Sequence, residues 1–243
     1  MLPLNQNSHV IILEIRAGAG GDEAGLFAGE LARMYSRFAL QRGWKCTELS
    51  RSEGGLGNIK DVSLRISGLG VQTALKNETG VHRVQRVPKT EKSGRIHTST
   101  VTIAVLPAVS PVQLNINPGD IKMDTYRSSS QGGQNVQKVE TAVRLTHVPT
   151  GVIVACQTER SQHQNRERAM EVLSSRLFEM MKKQQKSKVD ELRRDQVGTG
   201  DRSEKIRTYN FPQDRLTDHR LNKSFHHLEE IMDGHLDPVL DSF

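Results

Sequence analysis

No stretch of this chain approaches the roughly 18 consecutive apolar residues of a membrane helix, so none is expected. Nor does the chain open on the charged and then apolar run of a secretory signal. Its short opening leads almost directly into a strand, which fits either a trimmed N-terminus or a chain lacking a further domain. Aromatic residues make up only 4% and hydrophobic residues 35%, so the cores are expected to be modest. There are two cysteines, Cys46 and Cys156, with no metal-type spacing and no repeated histidine beside them. No metal and no cofactor are therefore expected, and a reducing compartment fits. What the chain does carry is charge. Charged residues make up 26%, with a net charge of +6. A basic surplus with few aromatics favours a phosphate-rich partner. At 243 residues the chain has room for one large domain or two ordinary ones.

One loop stands out. Residues 128–137, Ser-Ser-Ser-Gln-Gly-Gly-Gln-Asn-Val-Gln, show no apolar period. Paired glycines permit backbone angles closed to other residues and a close approach to a partner. The loop has no Asp, Glu, His or Cys, hence no strong base, thiolate or metal ligand. Any chemistry there must use backbone N–H groups and an amide side chain, the equipment of an oxyanion-type site. A glycine turn between strands is the plain alternative.

Before that loop, residues 9–16 read as a strand. Glycines at 18, 20 and 21 then lead into a helix for which Asp22 is the expected N-cap. Phe27, Leu31, Met34, Tyr35 and Phe38 recur at helical spacing until Gly43. The glycines do not fit a nucleotide-binding loop, because neither Gly-Lys-Ser/Thr nor Gly-x-Gly-x-x-Gly is present. A glycine-fronted helix tip still suits an RNA backbone or base edge. Residues 44–49 and 62–67 read as strands, and 70–77 as a short helix. Residues 80–98 are polar and basic and read as a loop before a strand at 98–107. Their threonines, glutamine, histidine and glutamate are suited to reading base edges. The proline-bearing stretch 107–118 reads as a linker. Residues 121–126 form a strand into the glycine loop, and 142–147 with 152–157 form a hairpin. A long helix begins near Ser161, with Ala169, Val172, Leu173, Leu177, Met180 and Met181 as one apolar stripe whose methionines are expected in the core. After a linker at 198–203, an extended segment follows at 206–212. A final helix is expected to start at Thr217, with Asp218 as its cap, His219 on the surface, and Leu221, Phe225, Leu228 and Ile231 inward.

Several segments together resemble one family. Residues 126–134, 145–151 and 159–163 are similar to the catalytic domain of class I peptide chain release factors of the bacterial and organellar type. Residues 202–213 and 217–220 resemble the segment that follows it, and 83–88 and 94–99 resemble the stop-codon domain. The resemblance covers nearly the whole chain, in the family's order and spacing. It implies an α+β fold of two domains. One is a codon-recognition α/β domain (8–110) completed by the C-terminal segment (201–243). The other is an inserted β-β-α-β-like domain (111–200) carrying the Gly-Gly-Gln loop.

Pro88-Lys89-Thr90 resembles the Pro-x-Thr tripeptide of the release factor 1 branch, whereas the other branch has Ser-Pro-Phe. The resemblance therefore implies reading of UAA and UAG. Carried over, Gly20 and Glu23 would meet the first base. Thr90, in the same tripeptide as Pro88, would read the second with Glu91. His97 would stack between the second and third, and Gln85 and Thr98 would read the third. Gly132, Gly133 and Gln134 would promote hydrolysis of the P-site peptidyl-tRNA ester in the peptidyl transferase centre, with the Gln134 backbone N–H as donor and its side chain positioning water. The implied partners are the ribosome, through the RNA of both subunits, the mRNA stop codon, the P-site tRNA, and a methyltransferase converting Gln134 to N5-methylglutamine. The chain would act as a ribosome-dependent factor rather than a self-contained enzyme, as a monomer in a bacterial cytoplasm or an organellar matrix or stroma. The chain departs from the family in having Asn135-Val136-Gln137 after the glutamine, where His-Val-Asn is usual, and in lacking a counterpart of the helical N-terminal domain.

Two other readings differ in class. A codon-independent rescue hydrolase would keep the Gly-Gly-Gln unit without a codon domain and with a basic tail. Here residues 10–107 supply that domain, and the tail from 237 is acidic and apolar. A non-catalytic RNA-binding adaptor would be indifferent to changes at Gly133.

Overall fold

The computed structural model describes residues 9–55, 58–88, 94–108, 114–127, 139–198 and 200–243. The chain divides into two compact units, residues 1–109 with 189–243 and residues 110–188.

The first unit is built on an eight-stranded sheet. In chain order its strands are β1 (Val10–Ala17), β2 (Lys45–Glu53), β3 (Ile59–Ser67), β4 (Gly80–Arg86), β5 (His97–Pro107), β9 (Lys205–Asn210), β10 (Arg215–Asp218) and β11 (Lys223–His226). Across the sheet the order is β11-β10-β9-β4-β5-β1-β3-β2. All neighbours run antiparallel except β4 and β9, which are parallel. The C-terminal segment thus completes the sheet begun by the N-terminal one. Helix α1 (Asp22–Gln41) covers one face. Alternation puts Ile11, Leu13 and Ile15 of β1 on that face, against Phe27, Leu31, Met34, Tyr35 and Phe38 of α1, all fully buried. The short helices α2 (Val71–Leu75), α4 (Leu228–Met232) and α5 (Asp237–Leu240) close the same core.

The second unit pairs a three-stranded antiparallel sheet, β6 (Ile121–Tyr126), β7 (Ala142–His147) and β8 (Val152–Cys156), with helix α3 (Gln162–Val197). Its core is small: Val143, Leu145 and Val154 meet Ala169, Leu173 and Leu177. The last turns of α3, from residue 189, belong to the first unit. There Arg193 forks onto Glu14 through Nε and Nη2 at 2.6 Å each. The Gln196 amide pairs with both the N–H and the carbonyl of Val105, at 3.0 Å each, where β4 no longer flanks β5.

The structure corrects several sequence expectations. Residues 80–86 form strand β4 rather than part of a loop. Their inward residues include a histidine, His82, so no apolar alternation announces the strand. No helix starts at Thr217: β10 and β11 form a hairpin whose turn uses Asn222 at φ 51°, and the helix begins only at Leu228. Asp22 is not the cap of α1; Gly21 is, and Asp22 instead accepts from Asn58 Nδ2 at 2.5 Å. In α3 the buried stripe is Asn165, Ala169, Leu173 and Leu177, while Val172 and Met181 are exposed. Asp218 caps no helix; it is fully buried, and His219 is half-buried with Nε2 2.7 Å from Thr208 Oγ1.

Candidate nucleic-acid interface

The turn between β1 and α1 is stitched to the start of β5. Gly18 N donates to Thr100 O and Thr100 N to Ala19 O, each at 2.8 Å, and Ala19 N donates to Thr100 Oγ1 at 2.9 Å. Gly20 follows at φ 135°, and a Cβ there would overlap the Ser99 side chain. Only glycine fits both demands. Gly21 then caps the helix without a side chain, so no cap acceptor occupies the first-turn N–H groups. That leaves the positive end of a 20-residue helix without a side-chain cap, with its cap Gly21 and first residue Asp22 exposed.

Beside this tip lie the ends of β4 and β5. Gln85 is the register partner of Thr98, and Arg86 of His97. Gln85 and Thr98 are half-buried, His97 is exposed, and Pro88 is buried just beyond β4. Gly20, Gln85, His97 and Thr98 therefore gather at one end of the sheet. The Glu23 side chain is differently engaged. The residue is buried, with Oε1 2.6 Å from Arg86 Nε, so its carboxylate is spent on Arg86. Thr90 and Glu91, expected to read the second base, lie outside the described residues, as do Gly132, Gly133 and Gln134.

Two charged clusters were missed by sequence reasoning. Arg86 also reaches Glu30, Nη1 to Oε2 at 2.6 Å, and lies over the Phe211 ring at 4.9 Å. Burial opposes the charge on Arg86, but Glu30 and Glu23 outweigh it and hold the guanidinium protonated. Deeper in the unit, Arg207 is fully enclosed. Its Nη1 donates to Glu78 Oε2 at 2.5 Å and its Nε to Asp218 Oδ2 at 2.8 Å. Tyr35 Oη donates to Glu78 Oε2 at 2.7 Å, and Arg220 Nη2 to Asp218 Oδ2 at 2.7 Å. His82 completes the cluster. The Glu78 carbonyl, 3.0 Å from Nε2, can only accept, so the proton sits on Nε2 and Nδ1 accepts from Tyr209 Oη at 3.1 Å. Burial, reinforced by Arg207, pushes His82 down to about 4. Burial works to raise Asp218, but hydrogen bonds from Arg220 and Arg207 hold it down to about 2. Burial pushes both tyrosines up. The signals available were Glu23 and Glu30 seven apart on one helix, and Arg207 and Asp218 in polar segments of their own.

In the second unit, β6 leads into the glycine loop and β7 leads out, with Tyr126 and Ala142 as register partners at its base. Asn165, fully buried in the first turn of α3, anchors the exit. Its Nδ2 donates to Thr141 O and Glu159 O at 2.9 Å each, and its Oδ1 accepts from Glu159 N at 3.0 Å. Arg166, Arg168, Arg176, Lys182 and Lys183 stand exposed along the same helix. Among the described residues there is no cluster suited to a metal ion, and no helix long and apolar enough to cross a membrane.

Comparison with known proteins accounts for both units. Residues 1–103 match the PCRF domain and residues 110–220 the RF-1 domain. Those two domains on a mixed α/β fold define the class as peptide chain release factors. A solved structure, RF2 of Thermus thermophilus, is similar with a TM-score of 0.57 at 34% identity, over 96% of this chain and 66% of that one. Among curated relatives, peptide chain release factor 1 of Anaeromyxobacter dehalogenans is 56% identical over 96% of this chain and 63% of its own length. Those of Thermoanaerobacter pseudethanolicus and Chlorobaculum tepidum are 54% and 58% identical, each over 100% of this chain and 68% of their own length. The chain belongs to the peptide chain release factor 1 family, and spans about two thirds of the length of these relatives.

Proposed function

We propose that this chain terminates translation: it reads UAA and UAG in the ribosomal A site and promotes hydrolysis of the ester between the nascent peptide and P-site tRNA. The observation that carries the reading is the convergence of an uncapped helix tip at Gly20 and Gly21 with Gln85, His97 and Thr98 at one end of the sheet. The tip offers N–H donors to carbonyl oxygens of the first base. Gln85 and Thr98 offer a neighbouring amide and hydroxyl for the third. His97 supplies a ring for stacking, and Pro88 leads into Thr90 and Glu91, which read the second base. Each good base contact supplies about 1–3 kcal/mol of discrimination, enough to separate codons only when several act together.

The hydrolytic step belongs to Gly132, Gly133 and Gln134. The Gln134 N–H stabilises charge on the oxygen as the ester opens, and its amide side chain orients the attacking water. No residue there is a base, so the remaining machinery is ribosomal RNA. This makes the chain a ribosome-dependent factor acting as a monomer, with mRNA and P-site tRNA as its further partners, Gln134 as a substrate for N5-methylation, and the bacterial cytoplasm as its place of action. The unit carrying the reading residues speaks against a codon-independent rescue factor. Gly133→Ala tests the catalytic half. The added methyl should cut the release rate by at least a hundredfold while ribosome binding persists; unchanged release would remove the loop from the chemistry.

A further inference from the structure

Arg86 sits between the proposed reading groups yet is assigned none of the reading. Its guanidinium holds Glu23 in the first turn of α1 and Glu30 two turns further on, about 10 Å along the helix axis. Its guanidinium carbon lies over the Phe211 ring, and the Phe211 N–H donates at 3.1 Å to the carbonyl of Gln85, the residue preceding Arg86 on β4. Elsewhere α1 meets the sheet chiefly through apolar packing, which is non-directional and tolerates small shifts, with Asp22 bonded to Asn58 and Tyr35 to Glu78. Hydrogen bonds do not tolerate them. Two pins on one helix face, from one rigid fork, fix the position of the helix along the strand.

We infer that Arg86 is a positioning residue for codon selectivity, setting the distance between the helix tip at Gly20 and Glu23 and the strand pair Gln85 and Thr98. The inference rests on the codon reading above. Under it, the turn before the tip is already bonded to Thr100 of β5, whereas no backbone hydrogen bond joins α1 to β4 among the described residues, and Arg86 supplies that missing tie. Loss of the pin lets β4, with Gln85, shift against the helix, so cognate contacts no longer form together.

The test uses the full chain and equilibrium binding to ribosomes carrying UAA, UAG or a sense codon in the A site. Arg86→Met keeps the bulk against Phe211 and removes both ion pairs. It should raise Kd at UAA and UAG tenfold or more and leave Kd at the sense codon within twofold, collapsing the selectivity ratio. Arg86→Lys should recover part of that ratio. Glu30→Gln leaves the Glu23 pair intact, keeps the unit folded, and should lower selectivity about threefold. A merely stabilising Arg86 would shift the urea midpoint while leaving the ratio unchanged in all three variants, and that result overturns the inference. If the unaltered chain binds stop and sense codons equally, the codon reading itself fails and the inference falls with it.

Discussion

Two clusters of the first unit, each an arginine held by two carboxylates, lie in opposite settings. Arg207 with Glu78 and Asp218 is sealed completely, and Tyr35, His82, Tyr209 and Arg220 surround it. Arg86 with Glu23 and Glu30 lies at the end of the sheet, its side chain 11% exposed and that of Glu30 27%. A sealed ion pair has lost its hydration and depends wholly on its partners. A pair near the surface keeps some water and contributes less to stability, but it can fix the geometry of whatever lies beside it. Identical chemistry therefore serves the integrity of the sheet in one place and the alignment of a surface in the other.

The contrast can be broken most sharply at Arg207. Arg207→Met would leave Glu78 buried without a cation and Asp218 with Arg220 alone, and should destabilise the chain by about 3–5 kcal/mol. Urea unfolding measures this; a loss under 1 kcal/mol would mean the cluster is hydrated after all.

Acid probes the same cluster without a mutation. Because burial lowers His82 to about 4 from 6.5, the unfolded chain takes up that proton first. The contribution is whole above pH 6.5 and is lost between 6.5 and 4, by about 3 kcal/mol. Asp218, lowered to about 2 from 3.8, adds a loss between pH 3.8 and 2. Unfolding at pH 7 and at pH 5 in the parent and in His82→Gln should show a slope that the variant lacks. Arg86→Met, by comparison, should cost about 1–2 kcal/mol in the same unfolding experiment, with its larger effect on codon selectivity. Arg37, paired with Asp233 on the open surface, marks the lower end: Arg37→Ala should change stability by less than about 1 kcal/mol.

What the sequence made legible follows the same division. The buried face of α1 was readable residue by residue, because apolar side chains repeat every three to four positions from Phe27 to Phe38. The two-unit α+β architecture, including the return of the C-terminal segment to the first sheet, was readable through the family resemblance. β4 was not readable as a strand, because the residues it buries include His82, whose place in the core depends on Glu78 and Tyr209. The β10–β11 hairpin was missed because strands of four residues are too short for alternation to register. Of the candidate site, Gly20, Gln85, His97 and Thr98 were nominated by the resemblance, and the structure gathers them at one end of the sheet. The bond from Arg86 to Glu23 could not be named, since it joins residues 63 apart in the chain.

The central claim is that the sheet end bearing Gly20, Gln85 and Thr98 reads the codon while the Gly-Gly-Gln loop drives release. Its most direct test is peptide release by this chain from ribosomes stalled at UAA, UAG, UGA or a sense codon. The account predicts release at UAA and UAG and none above background at UGA or the sense codon. Equal release at all four, or release at none, would contradict it.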